Sequence, residues 1–559
     1  MSGLEETSDR RLRLFCLLII VVALGAFGLR APRLRMRPMH TDEAVHADKY
    51  RMLIEDGVYE YEPNEYHGPT LNYATLLSAR LSGARTYVET TETTLRIVPV
   101  VFGTLLVLLM AGLTRGLGFA SVIAAVLAAL SPAMVYYSRY YIQEMLLACF
   151  TLGMIVCGYR YVRTRSLVWT LAAGVFAGLM HATKETAIIA FGAMGLALAI
   201  VILLQSGQRR RILTGVNWLH VLLGVVAAVV VSALLYSVLL RRPVGIWDSY
   251  RTYAVYFSRA RGQDTAHVHP WYYYLQILLY ARYFHGPIWT EAWILVLAAV
   301  GLAAAVRGTS PGRMDPKFVR FLAVYTLAMI VVYSAIPYKT PWCLLSFLTG
   351  LILLAGVGAA SLWTWAKWPF AQGVVASLVL AAAAHLAFLA YRANFVYYAD
   401  CRNPYVYAHP TEEIFTAVNV IEDYAATVGL GHSPEKRLQV AVPGQDYWPL
   451  PWYFRNLPCV GYTSEVPHEV GPVILVSDAL EGALAHRLYE ETPIEQRRIY
   501  LYLFEKPYYI WARPGVKLVG FVRKDFWDEY ASHEPDPAAA LIEGAHDRET
   551  QTTGNPVRP

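Results

Sequence analysis

Charge is scarce in this chain. Of its 559 residues only 16% are Asp, Glu, Lys or Arg, whereas a soluble domain carries about one in four. A chain so poor in charge and 56% hydrophobic cannot hide its apolar side chains in one water-covered core, and its mean hydropathy of +0.36 reads as a polytopic membrane protein. Phosphate-cradling patterns are missing as well. There is no GxxxxGK[ST] and no glycine-rich dinucleotide fingerprint, so no nucleotide cofactor or nucleotide donor is expected. Nothing points to nucleic acid, because basic strips interleaved with aromatics, zinc spacings and recognition-helix patterns are all lacking. The net charge of +6 is ordinary for basic loops at a membrane. A small-residue cleavage site is absent after the first apolar run, and Arg30, Arg33, Arg35 and Arg37 follow it at once. That run is therefore a retained span and not a cleaved signal peptide. Cysteine is rare. Cys16, Cys149, Cys157 and Cys343 lie in or beside apolar runs and read as small hydrophobes. Cys401 and Cys459 fall in the C-terminal part, where a disulfide between them is one option in an oxidising compartment.

Apolar length is what the chain has instead. Runs at 14–29, 97–113, 119–135, 145–158, 167–180, 187–204, 218–240, 289–306, 318–336, 343–358 and 374–390 are long enough, or nearly so, to cross a hydrocarbon core. They give about eleven transmembrane helices. Basic residues in short loops stay on the cytoplasmic side. Counting from a cytoplasmic N-terminus places Arg10, Arg11 and Arg13, then Arg115, then Arg160, Arg163 and Arg165, then Arg209, Arg210 and Arg211, then Arg307, Arg313 and Lys317, then Lys367 inside. The 30–37 arginines fall outside, against the rule. Long loops obey that rule weakly, and these arginines suit lipid phosphates. The expected organisation is a multi-pass protein of the cytoplasmic (inner) membrane. Residues 1–392 form a transmembrane domain with a large first exterior loop (30–94) and a second at 242–288. Residues 393–531 form an extracytoplasmic α/β domain, with strands at 438–442, 472–476, 508–513 and 516–523 and a helix at 481–489. The 532–559 tail is rich in Pro, Asp, Glu and Gly and should be disordered.

The titratable residues choose one side. The first exterior loop holds His40-Thr41-Asp42-Glu43, His46 and His67. The next exterior corner runs from Ser138 and Arg139 to Glu144, and the following one is His181-Ala182-Thr183-Lys184-Glu185. The later loops add His267, His269 and His285, and then Lys339 between Pro337 and Pro341. Charge near hydrocarbon is costly and persists for function. Each cluster also has a plainer reading. Asp42 and Glu43 fit a solvated loop, Arg139 and Glu144 an interfacial ion pair, Lys184 a snorkelling anchor, Lys339 a helix cap, and His267 with His269 one face of a surface strand.

The combination resembles a family. The Asp-Glu pair after the first span and the Arg139-Tyr140-Tyr141-Ile142-Gln143-Glu144 corner are similar to the GT-C integral-membrane glycosyltransferases, as are the stretch from Leu179 to Glu185 and that from Ser334 to Trp342. These include the protein O-mannosyltransferases and the lipid A aminoarabinose transferases. Tyr66-His67-Gly68-Pro69 and Asp446-Tyr447-Trp448-Pro449-Leu450-Pro451-Trp452-Tyr453 resemble a bacterial and archaeal subfamily labelled flippase-activity-associated.

The resemblance implies a polyprenyl-phosphate sugar as donor, transfer with inversion on the extracytoplasmic side, and an acceptor that is a glycan, a lipid or a protein. It carries the general-base role to Asp42, with Glu43 orienting it or binding acceptor. The leaving phosphate then calls for cations, and Lys184, Arg139 and Lys339 are the candidates. His40, His67, His181, His267 and His269 join Glu144 as candidate substrate contacts. Some relatives hold a divalent metal near the donor phosphate, for which Glu144 and His269 are the available ligands. Glu144 stands where many relatives have Asp. Two other classes stay open at this point, a lipid-linked sugar flippase or transporter and a noncatalytic scaffold of a glycan export system. A transporter should show inverted repeats and mid-membrane polar residues. No repeat is visible.

Overall fold

The computed structural model describes residues 2–63, 67–205, 207, 214–260, 267–308 and 314–533. Glu65, Tyr66, Arg209, Arg210, Arg211, Arg313 and the tail from 534 lie outside the described residues. The chain forms two compact units. One comprises residues 1–37 and 45–407, and the other joins 38–44 to the described residues from Ala408 onward.

The first unit is helical. Seven of its helices are long and apolar enough to cross a membrane: Asp9–Arg30, Glu92–Leu117, Glu144–Thr164, Trp218–Tyr236, Pro316–Ala335, Pro341–Trp365 and Pro369–Val396. Four shorter apolar helices, Ala120–Leu130, Leu167–His181, Ala187–Leu203 and Ala292–Arg307, accompany them. Every apolar run of the sequence falls on one of these. The run at 119–135 does not continue as one helix. Pro132 lacks the N–H that would extend the ladder, and Ser131 starts a new short helix, Pro132–Tyr137, by accepting from the Met134 N–H at 3.3 Å. Other starts follow the same chemistry. Asp315 accepts from the N–H groups of Lys317 and Phe318 ahead of Pro316, and Thr91 forms a reciprocal capping box with Thr94.

The stretches expected as loops are themselves partly helical. Thr41–Glu55 and Thr70–Ser82 lie within 30–94, and Val244–Ala260 and Tyr273–Leu279 within 242–288. Small residues bring the membrane helices together. A Cβ on Gly358 would stand 1.9 Å from the Leu297 carbonyl oxygen, and one on Gly301 2.1 Å from that of Leu354, so Ala292–Arg307 and Leu345–Trp365 touch backbone to backbone.

The division between the units comes after Tyr407 and not at residue 392. Residues just beyond the last long helix stay with the bundle because their polar groups are tied there. Tyr136 and Tyr137 donate to the Tyr398 and Tyr405 carbonyls, and Asn403 donates to those of Ala393 and Tyr397.

The second unit is an α/β fold around a six-stranded sheet. Its strands are β1 (Leu438–Ala441), β2 (Val460–Thr463), β3 (Val473–Ser477), β4 (Tyr500–Tyr502), β5 (Tyr509–Arg513) and β6 (Val516–Arg523). Strands β1 and β3 are buried along their whole length and pair in parallel, with β2 parallel on the outer side of β1. Strand β6 runs antiparallel to β3, and its other edge is shared by β4 and β5. The expected helix at 481–489 starts earlier, as Asp478–His486, capped by Ser477. Helix Ile414–Val428, not expected from the sequence, packs Ile414, Ala417, Val418, Ile421, Tyr424 and Val428 inward at a spacing of three and four. All six cysteines are free thiols, so the Cys401–Cys459 option is not taken up.

Candidate active site

Helix Thr41–Glu55 begins at the acidic tetrad, and His40 is its cap. The Asp42 N–H donates to His40 Nδ1 at 3.0 Å, while the His40 N–H donates to Glu43 Oε2 at 3.1 Å. This is a capping box with an imidazole in the place of the usual hydroxyl. A backbone N–H can only donate, so Nδ1 presents its lone pair and neutral His40 carries its proton on Nε2. Glu43 is fully buried by this arrangement. Asp42 is not: its side chain is 41% exposed, with Oδ1 3.9 Å from His40 Nδ1. One carboxylate of the pair thus serves the helix start and the other stands open. The same unit surrounds them with residues of the tail motif. Tyr453 Oη accepts from the Met39 N–H at 2.8 Å, and Arg513 pairs with Asp446 while reaching Thr41 Oγ1 at 3.4 Å. The His409 ring lies 4.7 Å from that of His40.

In the helical unit, the turn at His67-Gly68-Pro69 docks on the corner at 181–185. Gly68 N–H donates to the Thr183 carbonyl at 3.1 Å, and Thr70 N–H to that of Ala182 at 3.2 Å. Only glycine allows this approach, since a Cβ on residue 68 would stand 2.2 Å from the Ala182 carbonyl oxygen. His67 Nδ1 and Tyr61 Oη then reach the two oxygens of Glu185, at 2.9 and 3.0 Å. Burial alone would raise the Glu185 carboxyl, but the charge and hydrogen bond of His67, its own N–H and Lys184 outweigh it and hold the group below the ordinary glutamate value. His181 turns away from this turn. Its Nδ1 meets Ser232 Oγ at 2.7 Å, and its ring is boxed by Tyr236, Tyr250 and Tyr253. Lys184 forms an ion pair with Glu144, with side chains only 6% and 3% exposed. Glu144 opens its own helix, where a carboxylate suits the N-terminal dipole.

A third group sits where residues 267–269 run antiparallel to 337–339. His269 N–H donates to the Pro337 carbonyl and Lys339 N–H to that of His267, at 3.1 and 2.9 Å. His267 Nδ1 lies 2.8 Å from Tyr407 Oη, and His269 stacks on Tyr273 at 4.1 Å. Lys339 Nζ donates to the carbonyls of His269 and Ile336, which is the helix-end role of the plainer reading. Burial pulls its ammonium below the ordinary lysine value, and burial with neighbouring His267 and Lys339 does the same to His269.

Arg139 is placed differently from the other candidate phosphate contacts. Its guanidinium donates to the carbonyls of Arg30, Pro32 and Arg33 and lies over the Phe395 ring. Arg30, Arg37 and Arg96 are tied in the same way, to carbonyls at 128–129, 139, and 34 and 37. Of the arginines that broke the loop-charge rule, Arg30 and Arg37 are thus engaged by backbone carbonyls, while Arg96 and Arg139 hold the carbonyls of the first loop itself. Glu291 was not singled out from the sequence. Fully buried, it accepts from Ser131 Oγ at 2.5 Å, Ala133 N–H at 2.9 Å and Tyr405 Oη at 2.7 Å, and desolvation raises its carboxyl. Its signal was an acid inside the apolar run at 289–306.

A divalent metal does not fit the two residues expected to hold it. Glu144 is engaged by an ammonium, His269 by aromatic rings, and no group of three or more His, Cys, Asp or Glu gathers among the described residues. Metal ligands need such convergence.

Residues 46–250 match the family model of dolichyl-phosphate-mannose-protein mannosyltransferases. The fold matches ArnT from Cupriavidus metallidurans. In the crystal structure bound to undecaprenyl phosphate, 16% of residues are identical, with 90% of this chain and 97% of that one covered at a TM-score of 0.57; for the apo state the identity is 15% and the TM-score 0.58. The likeness to ArnT is one of fold, and the family model covers residues 46–250 of the 559. No curated protein sequence matches the chain. The matched stretch contains His67, Arg139, Glu144, His181 and Lys184, while Asp42 stands before it and His267, His269 and Lys339 after it.

Proposed function

We propose that this protein is a GT-C membrane glycosyltransferase that moves a sugar from a polyprenyl-phosphate donor to an acceptor hydroxyl on the extracytoplasmic face of the cytoplasmic membrane, with inversion. The observation that carries this reading is the buried Lys184–Glu144 pair within the mannosyltransferase-like stretch. A buried ion pair gives little net stability, so a cation kept at an apolar helix end is better explained by an anion that arrives there. A lipid-borne phosphate is such an anion, and undecaprenyl phosphate is what ArnT binds in its crystal structure.

Asp42 is the proposed base. Its open carboxylate takes the proton of the acceptor hydroxyl as that oxygen attacks the anomeric carbon. The bond from the anomeric carbon to the phosphate oxygen breaks, and its electron pair leaves on the prenyl phosphate. Lys184 and Lys339 are the proposed partners of the charge that develops there. Glu43 and His40 act indirectly, by setting the helix turn that carries Asp42. Arg139 shapes the first loop.

Purified protein in lipid, given a panel of labelled polyprenyl-phosphate sugars with candidate acceptors, tests the proposal through release of prenyl phosphate. Wild type should release it, and Asp42→Asn should lower the rate by about a hundredfold or more. Release indifferent to Asp42 removes it as base, and no release with any donor overturns the donor class.

A further inference from the structure

At the other end of the bundle lies a cavity of about 410 Å³ that the transfer reaction does not use. The ends of four helices form it: the start of Asp9–Arg30, the end of Glu92–Leu117, the end of Glu144–Thr164 and the start of Leu167–His181. The Asp9–Arg30 helix is 22 residues long, which at about 1.5 Å per residue separates this cavity from Arg30 by the thickness of a hydrocarbon core.

Arg13, Arg115 and Arg160 line it, with Asp9 as the single acid. Three guanidiniums against one carboxylate leave two positive charges in excess. None of the three arginines has an ion-pair partner among the described residues. Arg160 lies over the Trp169 ring, 5.0 Å from its centre, and its Nε is buried without a hydrogen-bond partner. A buried guanidinium N–H left unsatisfied is costly, and an oxyanion in the cavity would satisfy it. Arg115 and Arg160 also sit at helix C-termini, where cations offset the dipole. That plainer role does not call for a cavity or for an orphaned Nε. Leu14 and Leu17, next in the chain to the lining residues Arg13 and Cys16, are half exposed or more. Acyl chains can lie along them.

We infer that this cavity binds the phosphodiester of an anionic phospholipid, held by Arg13, Arg115 and Arg160 with its tails on the Leu14–Leu17 face. Basic pockets between helix ends are suited to such headgroups.

Native mass spectrometry of the full-length protein, with short-chain phosphatidylglycerol, short-chain phosphatidylcholine or inorganic phosphate added, tests the inference. Phosphatidylglycerol should bind at least about tenfold more tightly than phosphatidylcholine. That preference should vanish in Arg115→Glu, at an exposed position where the fold stays intact, and in Arg160→Gln. It should persist in Arg165→Gln, whose side chain lies over Tyr161 outside the cavity. Equal binding of the two lipids overturns the inference. So does a preference that survives both cavity variants. Inorganic phosphate that displaces phosphatidylglycerol at equal concentration overturns a lipid as the occupant.

Discussion

Lys184 donates to Glu144 from the end of one membrane helix to the start of another, and both side chains are shut away from solvent. Lys184→Met leaves a buried carboxylate without its cation and should cost about 3–5 kcal/mol, while the double variant Lys184→Met, Glu144→Leu should recover most of that loss. Thermal unfolding in detergent reads the stability. Transfer should be absent in both, and its return in the double variant would show the pair to be structural only.

Gly68 stands against the Ala182 carbonyl. Gly68→Ala must push the first loop away from the 181–185 corner, and should destabilise by about 1–3 kcal/mol. Gly25, where an added Cβ would meet nothing within 4 Å, is the control. Gly25→Ala should leave the melting temperature unchanged or slightly raised, because alanine is the better helix former.

The Glu185 carboxyl is held below its ordinary value, so the native state favours the charged form. Its contribution is fully present above the unfolded value of about 4.3 and is lost as pH falls through the folded one. Glu185→Gln should therefore lower the melting temperature at pH 7, and the gap to wild type should narrow below about pH 4.5. A gap that stays constant down to about pH 3 would contradict the ionic account.

His40 and Glu43 hold the first turn of the Thr41–Glu55 helix. Glu43→Ala should cost about 0.5–2 kcal/mol as a lost cap, and should lower transfer by displacing Asp42. Asp42→Asn, at a side chain two-fifths exposed, should change the melting temperature little while abolishing transfer. Parallel melting curves and initial rates separate the two effects.

Cys401 is exposed, and the proposed orientation puts it outside the cell. A membrane-impermeant maleimide should label it in intact cells, and Cys401→Ser should remove that signal. Labelling only after the membrane is opened would reverse the orientation.

Much of this was legible in the residue order. The apolar runs mark the apolar helices of the described residues because hydrocarbon permits few alternatives to a continuous helix of sufficient length. The buried strands β1 and β3 were equally plain, since a strand covered on both faces reads as an unbroken apolar run. The break at Ser131-Pro132 was written in a proline, yet a window average over 119–135 hides it.

Alternation of the apolar runs along the chain is what leads the sequence to assign the titratable loops to one side. Their roles were decided only in three dimensions. Arg139 and Lys184 look alike as cations at helix ends, but one is surrounded by backbone carbonyls and the other meets a carboxylate. Asp42 and Glu43 are neighbours in sequence, and the helix that starts between His40 and Thr41 points one into protein and leaves the other open. Hydrogen-bond geometry separates such pairs, and it depends on partners that stand far off in the chain: Arg30 for Arg139, Glu144 for Lys184, Tyr453 and Arg513 for the tetrad.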